Sequence, residues 1–309
     1  MTGSSGAPPG APGGFRELRE LLDRFGVTPR RSRGQNFLHD PALLQSIVAD
    51  APVGPGDLVL EIGGGSGFLT RELRRAGADV VIAEIDERLV RCLEWQFGED
   101  PGVRIVAGDA LAGKRHLSPG LLASLSERTG PVRLVANLPY SIGITAVLAW
   151  LRSGLPLGAG MVMVQREVAA RMVAPPGTKD YGPATVALQL RAELRTRRDV
   201  APQAFHPRPK VDSTTVEVVP LERLREDVGD EDAFERLVRG AFQQRRKRIA
   251  NSVGSIPFVS DRPIAEVRER IAGAGVDPTR RTDSLSISEF AALSRALLGV
   301  LPPEGTEFG

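Results

Sequence analysis

Leu58-Val59-Leu60-Glu61-Ile62-Gly63-Gly64-Gly65-Ser66-Gly67 holds the most telling pattern in the chain. A short apolar run that stops in glycines predicts a buried strand followed by a tight loop. Outward from it, residues 80–83, 103–107, 134–136 and 161–164 are further short apolar runs, and helical patterns such as Leu89, Val90, Leu93 and Phe97 lie between them. Strands alternating with helices predict parallel βαβ units, that is, an α/β fold with a mostly parallel, doubly wound sheet.

Upstream of the glycines, Phe15, Leu18, Leu21, Leu22 and Phe25 recur at helical spacing. Asp40-Pro41 has the form of a helix start, Asp40 as N-cap and Pro41 at the first helical position. Residues 111–130 are longer than an ordinary connection and predict a short helix. Near Arg195 the pattern changes. Residues 211–219 read as a strand, with the stretch before it pairing antiparallel. Beyond Pro220 the periodicity is purely helical, with Phe234, Leu237, Val238, Ala241 and Phe242 on one face. The expected organisation is a Gly/Pro/Ala/Ser tail over 1–14 without order, a sheet domain over 15–220, a small all-helical domain over 221–302, and a second disordered tail over 303–309.

With 309 residues, 41% hydrophobic and 25% charged, the chain can bury a sizeable core. Cys92 is the only cysteine, which excludes an intramolecular disulfide and a cysteine zinc site. His39, His116 and His206 are far apart and have no acidic neighbours at ligand spacing, so no metal is expected. No apolar run reaches the roughly 18 residues of a membrane span, and the N-terminus has no signal-peptide pattern. A cytoplasmic, non-membrane protein is expected. A net charge of +2 and a pI of about 9.0 are compatible with nucleic-acid binding without arguing strongly for it.

The glycine loop fails the dinucleotide pattern G-x-G-x-x-G, because counting from Gly63 places Phe68 at the last glycine position. Its spacing is G-x-G-x-G instead, which is usual for methyltransferases. Glu84 ends the second apolar run, where a carboxylate can accept both hydroxyl hydrogens of a ribose. Asp109 follows the third run, in a place to accept from an adenine amino group, and Asn137 follows the fourth. All lie at carboxyl ends of predicted parallel strands, where open α/β sheets bind ligands. Asn137-Leu138-Pro139-Tyr140 suits chemistry on an exocyclic adenine amine, whose lone pair is delocalised into the ring. The Asn137 side-chain oxygen and the Leu138 carbonyl can accept its two N–H bonds. Pro139 stiffens the turn and has no N–H to compete, and Tyr140 offers a ring face for the base. Phe205 has two readings, a stacking partner opposite Tyr140 or a core residue, with stacking placed ahead. Trp95 and Trp150 read as core, and Cys92 as a helix packing residue.

These residues carry a resemblance. Gln35-Asn36-Phe37-Leu38, the glycine loop, Glu84-Ile85-Asp86, Gly108-Asp109-Ala110 and Asn137-Leu138-Pro139-Tyr140 resemble the ribosomal RNA adenine N6-dimethyltransferases. Stretches at 176–182, 205–213 and 242–247 are similar to the branch that acts on the small subunit. The resemblance runs from about Arg30 to Leu298. It implies a Rossmann-like class I methyltransferase domain with a small helical C-terminal domain. It implies S-adenosylmethionine as cofactor, contacted by Asn36, Leu38, Gly63, Gly65, Glu84, Asp109 and Asn137. It implies dimethylation of two adjacent adenosines near the 3′ end of small-subunit (16S) RNA, within a partly assembled subunit. A monomer is expected. Arg33, where many relatives have an aromatic residue, and the N-terminal tail depart from the pattern.

Basic clusters at Arg30, Arg31 and Arg33, at Arg208 and Lys210, and at Arg245, Arg246, Lys247 and Arg248 are expected to contact RNA phosphates. The target base must leave its stack to reach the turn. Three alternatives compete. The first is a resistance-type enzyme on large-subunit RNA, against which the 205–213 and 242–247 stretches stand. The second is a non-catalytic RNA-binding assembly factor, disfavoured by the intact Asn-Leu-Pro-Tyr stretch. The third is a nicotinamide oxidoreductase, disfavoured by Phe68.

Overall fold

The computed structural model describes residues 14–30, 34–113, 115–139 and 141–298. The two expected tails fall outside these residues apart from Gly14, as do residues 299–302 at the end of the expected helical domain. The chain divides into two compact units, one of Met1–Ala169 and Leu194–Pro220, the other of Ala170–Glu193 and Leu221–Gly309.

In the first unit, α1 (Phe15–Arg24) buries Leu18, Leu21 and Leu22. A two-residue strand, β1 (Phe37–Leu38), follows. Helix α2 (Pro41–Asp50) starts where expected: the Asp40 carboxylate accepts from the Leu43 N–H at 3.0 Å, and Pro41 stands in the first turn. Then come β2 (Leu58–Ile62), α3 (Phe68–Arg75), β3 (Asp79–Glu84), α4 (Glu87–Phe97) and β4 (Val103–Ala107). An antiparallel pair, β5 (Leu111–Ala112) and β6 (His116–Leu117), precedes α5 (Pro119–Ser126), the short helix expected in this connection. The unit continues through β7 (Val132–Asn137), α6 (Gly143–Leu151) and β8 (Gly160–Gln165) into α7 (Arg166–Val173).

The seven-stranded sheet has the order β4-β3-β2-β7-β8, then two strands from later in the chain. The five strands from β4 to β8 in that order pair in parallel. Every residue of β2 is buried, as expected for a central parallel strand covered on both faces. From β2 the chain builds outward to β3 and β4, then returns to place β7 on the other side. The β2–β7 boundary is therefore the topological switch point, where the loops at the strand ends diverge and leave a crevice.

After α8 (Pro183–Gln189), the sheet gains β9 (Ala192–Val200) at its edge. A two-residue strand, β10 (Phe205–His206), pairs antiparallel with β1, and β11 (Ser213–Pro220) pairs antiparallel with β8. β9 and β11 are neighbours, with the Arg198 N–H donating to the Thr215 hydroxyl at 3.0 Å.

The second unit is helical: α9 (Glu231–Gln243), α10 (Ile249–Gly254), α11 (Pro257–Ser260), α12 (Ile264–Gly273) and α13 (Ile287–Leu298). It differs from the expected domain in one respect, because residues 170–193 belong with it. The reason is burial. Tyr181, Val186 and Leu190 join Phe234, Leu237, Ile271 and Phe290 in one apolar cluster. The buried Arg191 guanidinium pairs with Glu231 and Glu235. A linear reading cut the chain at Pro220 because the apolar period changes there, but the helix at 183–189 had already crossed over. Trp150 is fully buried, whereas Trp95 is only partly so, its ring covered by the Arg24 guanidinium at 4.2 Å. Among the described residues no helix is long and apolar enough to cross a membrane.

Candidate active site

The glycine loop is a turn that other residues could not make as readily. Gly63, Gly65 and Gly67 have φ of 81°, 55° and 79°, in the left-handed region where a Cβ is strained. Gly64 is needed for a different reason. A Cβ there would stand 2.5 Å from Ile82 Cγ2. The loop thus lies tight on β3 and hands the chain to α3, whose first backbone N–H groups face the strand ends.

A cavity of about 290 Å³ opens at the carboxyl ends of β2, β3 and β7. The expected cofactor residues Asn36, Leu38, Gly63, Gly65, Glu84, Asp109 and Asn137 all line it. Pro139 lines it too, its ring 3.6 Å from where a Gly63 Cβ would be, so the turn after β7 packs beside the glycine loop in the cavity wall.

Glu84 is buried and held at both oxygens: one accepts the Gly65 N–H at 3.0 Å, the other the Asp86 N–H at 2.9 Å. Burial raises its pKa, and these N–H groups oppose the rise. Each oxygen keeps a further lone pair for a ligand hydroxyl. Asp109 is exposed, and one of its oxygens accepts the Leu111 N–H at 2.9 Å. Asn137 is fixed by its amide, which donates to the Asn36 carbonyl at 3.1 Å. That bond uses the nitrogen and leaves Oδ1 as an acceptor beside the cavity.

Not every expected site residue is placed this way. Phe205 is corrected from stacking partner to core residue: it is 3% exposed and packs with Phe37 and Leu38 in the main apolar cluster. It pairs with Leu38 across the β1–β10 ribbon, so it supports the loop rather than offering a face to a base. Leu138 is buried, its N–H donating to the Met163 carbonyl at 3.0 Å, and its side chain belongs to the core. Tyr140, Arg31 and Arg33 lie outside the described residues. Arg30, Arg208, Lys210, Arg246, Lys247 and Arg248 are exposed. Arg245 is not comparably available. Its guanidinium donates to the Lys179 and Thr178 carbonyls and pairs with Asp283 at 3.2 Å, so it ties the second unit together.

The structure also shows residues to which the sequence assigned no role. Gln35 reaches from the loop before β1 to the Asp86 carboxylate at 3.3 Å. Burial works to raise the Asp86 pKa, but the hydrogen bonds from Arg88 and Gln35 outweigh it and hold the group at about 2. Arg88 also donates to the Gly26 carbonyl at 3.0 Å, so Asp86 and Arg88 anchor the segment before β1 to the start of α4. Ile85, Ser141 and Ile142 line the cavity, and Ile85 is a large apolar side chain left 55% exposed. Glu61 lines the cavity as well. It is 1% exposed, and its carboxyl accepts a hydrogen bond of 2.6 Å from the Thr70 hydroxyl. Burial first, and the nearby Glu84 second, push its pKa up to about 8 against the pull of Thr70. Its sequence signal was an acid inside an otherwise apolar strand.

The family model described as ribosomal RNA adenine dimethylase matches residues 26–293. Ribosomal RNA small subunit methyltransferase A of Moorella thermoacetica is 43% identical over 90% of this chain and 95% of that protein. The protein of the same name from Geobacter metallireducens is 40% identical over 89% of this chain and 98% of its own. Among solved structures, a dimethyladenosine transferase from Plasmodium falciparum superposes with a TM-score of 0.67 at 23% identity, covering 83% of this chain and 95% of that one. The 23S rRNA methyltransferase ErmE superposes with a TM-score of 0.59 at 26% identity, covering 85% and 99%.

Proposed function

Because the chain belongs to the ribosomal RNA adenine dimethylase family, we propose that it dimethylates the N6 amino groups of two adjacent adenosines near the 3′ end of small-subunit ribosomal RNA, using S-adenosylmethionine. The observation that carries this reading is that two elements share one cavity wall: the glycine loop and, packed beside it, the Asn137–Pro139 turn.

The residues present fit the cofactor. The cavity is close to the lower end of the range for small-ligand sites, roughly 300–1,000 Å³. Glu84 would hold the ribose hydroxyls, Asp109 the adenine amino group, and the loop at Gly63 and Gly65 would bring backbone within reach of the remainder. Asn36 and Leu38 would close the site from the β1 side. When bound, the cofactor supplies an electrophilic methyl group on a sulfonium.

What the chain contributes is acceptance and alignment. The Asn137 Oδ1, freed by the amide's bond to Asn36, accepts one N–H of the target amine, and the Leu138 carbonyl accepts the second. Drawing on both N–H bonds localises the nitrogen lone pair. Pro139 keeps the turn stiff and Tyr140 supports the base, so that proximity and in-line approach provide much of the acceleration. The exposed Arg30, Arg208, Lys210, Arg246, Lys247 and Arg248 hold RNA phosphates, with Arg31 and Arg33 added to the first cluster. The enzyme acts as a monomer in the cytoplasm, on a partly assembled small subunit.

Transfer of labelled methyl groups to unmethylated small subunits tests the reading. The wild type should label two adjacent adenosines. Asn137→Ala should lose at least ~100-fold in rate with an unchanged circular dichroism spectrum. Full activity of that variant would refute the role given to Asn137. Label in large-subunit RNA instead would favour the resistance-type alternative.

A further inference from the structure

The acidic residues lining the cavity are Glu61, Glu84 and Asp109; among the described residues no lysine, arginine or histidine lines it. The three acids are not equivalent. Asp109 is exposed and solvated. Glu84 is buried, but two backbone N–H groups stabilise its charged form. Glu61 is buried with less support. It sits inside β2, 1% exposed, with one side-chain hydrogen-bond donor, the Thr70 hydroxyl on α3. The charged group that acts on it is another acid, Glu84 at the end of β3, which in turn feels Asp86, paired with Arg88. No cation pairs with Glu61 among the described residues. A carboxyl in such a place has no reason to ionise until a positive ligand arrives.

We propose that Glu61 is a specificity-determining residue that distinguishes the charged methyl donor from its neutral, demethylated product, by giving up its proton when the donor enters the cavity and regaining one when the product replaces it. This rests on the cofactor assignment made above. The donor and the product differ in shape by one methyl group, which packing alone discriminates weakly: a methylene in an apolar pocket is worth about 10–200-fold at most. They differ in charge by a full elementary charge at the sulfur. An acid-lined, partly desolvated cavity responds to that difference more strongly than to shape. The proton balance is simple. On donor binding the Glu61 O–H bond breaks, the electron pair stays on the carboxylate, and the proton goes to solvent. When the neutral product occupies the site, the carboxylate takes one proton back.

Isothermal titration calorimetry reads this directly. The full-length protein is titrated with S-adenosylmethionine and with S-adenosylhomocysteine, each in two buffers of the same near-neutral pH and different ionisation enthalpy. With the raised pKa of about 8, most of the Glu61 population is protonated at about pH 7, so donor binding should release close to one proton more in the wild type than in Glu61→Gln. Product binding should show no such difference. Taking the difference between the two proteins removes any titration of the ligand's own amino group. Donor affinity of the wild type should also weaken relative to product as the pH falls below 8, by up to about tenfold for each drop of one in pH, and this ratio should be flat in Glu61→Gln. If wild type and Glu61→Gln release the same number of protons on donor binding, the proposal is wrong. If neither ligand binds the wild type, the cofactor assignment fails instead. Should Glu61→Gln not fold, Thr70→Val serves. Loss of the one donor raises the pKa further, so the donor-to-product affinity ratio should fall near neutral pH, and an unchanged ratio would overturn the proposal.

Discussion

Replacing Glu61 with glutamine should change the pH dependence of stability of the ligand-free protein. In the folded chain the Glu61 pKa is raised from 4.5 to about 8, chiefly by burial. Between those values the folded state keeps a proton that the unfolded state has lost. Stability therefore falls as pH rises through this window, and below about pH 4.5 the penalty is absent because both states are protonated. Every tenfold difference in proton affinity between the two states corresponds to about 1.4 kcal/mol, so the penalty approaches on the order of 5 kcal/mol by pH 8. Glutamine has nearly the same shape and can still accept from Thr70, but it does not ionise. Its second amide hydrogen adds an offset of about 1–3 kcal/mol that does not vary with pH. The slope is thus the diagnostic quantity. Urea denaturation of both proteins at about pH 5, 6, 7 and 8 should show the stability of Glu61→Gln relative to wild type rising by several kcal/mol across the series. Two parallel curves would mean that Glu61 is already ionised in the folded chain, and the account of its burial would fall.

Two further outcomes follow from the same geometry. Gly64→Ala places a methyl 2.5 Å from Ile82 Cγ2 and 3.0 Å from Leu93 Cδ1, an overpacking that should cost about 1–3 kcal/mol; a thermal melt with no fall in Tm would show that the loop is looser than described. Arg246→Ala should lower the slope of log affinity for RNA against log salt by about one with no change in Tm, whereas Arg245→Ala, which breaks the ties to Thr178, Lys179 and Asp283, should lower Tm and leave that slope alone. The reverse pattern would overturn the assignment of these neighbours to different duties.

Whatever depends on short spacing could be read from the letters alone. Apolar runs of strand length, broken by helical periods, pointed to the parallel strands β2, β3, β4, β7 and β8. The glycines at 63, 65 and 67 announced a backbone that needs positive φ. Glu84, Asp109 and Asn137, each just past an apolar run, were legible as candidate site residues because in a parallel sheet all such ends lie on one edge, and there they line one cavity. Which residues of the same type are free to act was settled by the folded chain. Phe205 looked available for stacking until the β1–β10 ribbon buried it, and Arg245 looked like its neighbours until Asp283, far along the chain, claimed it. Residues 170–193 looked like part of the sheet domain until their apolar side chains found Phe234 and Phe290. Glu61 was visible as a letter in a motif, but its burial against Thr70, with no cation paired to it among the described residues, was not. Burial and pairing are sums over neighbours distant in sequence, and no window of a few residues contains them.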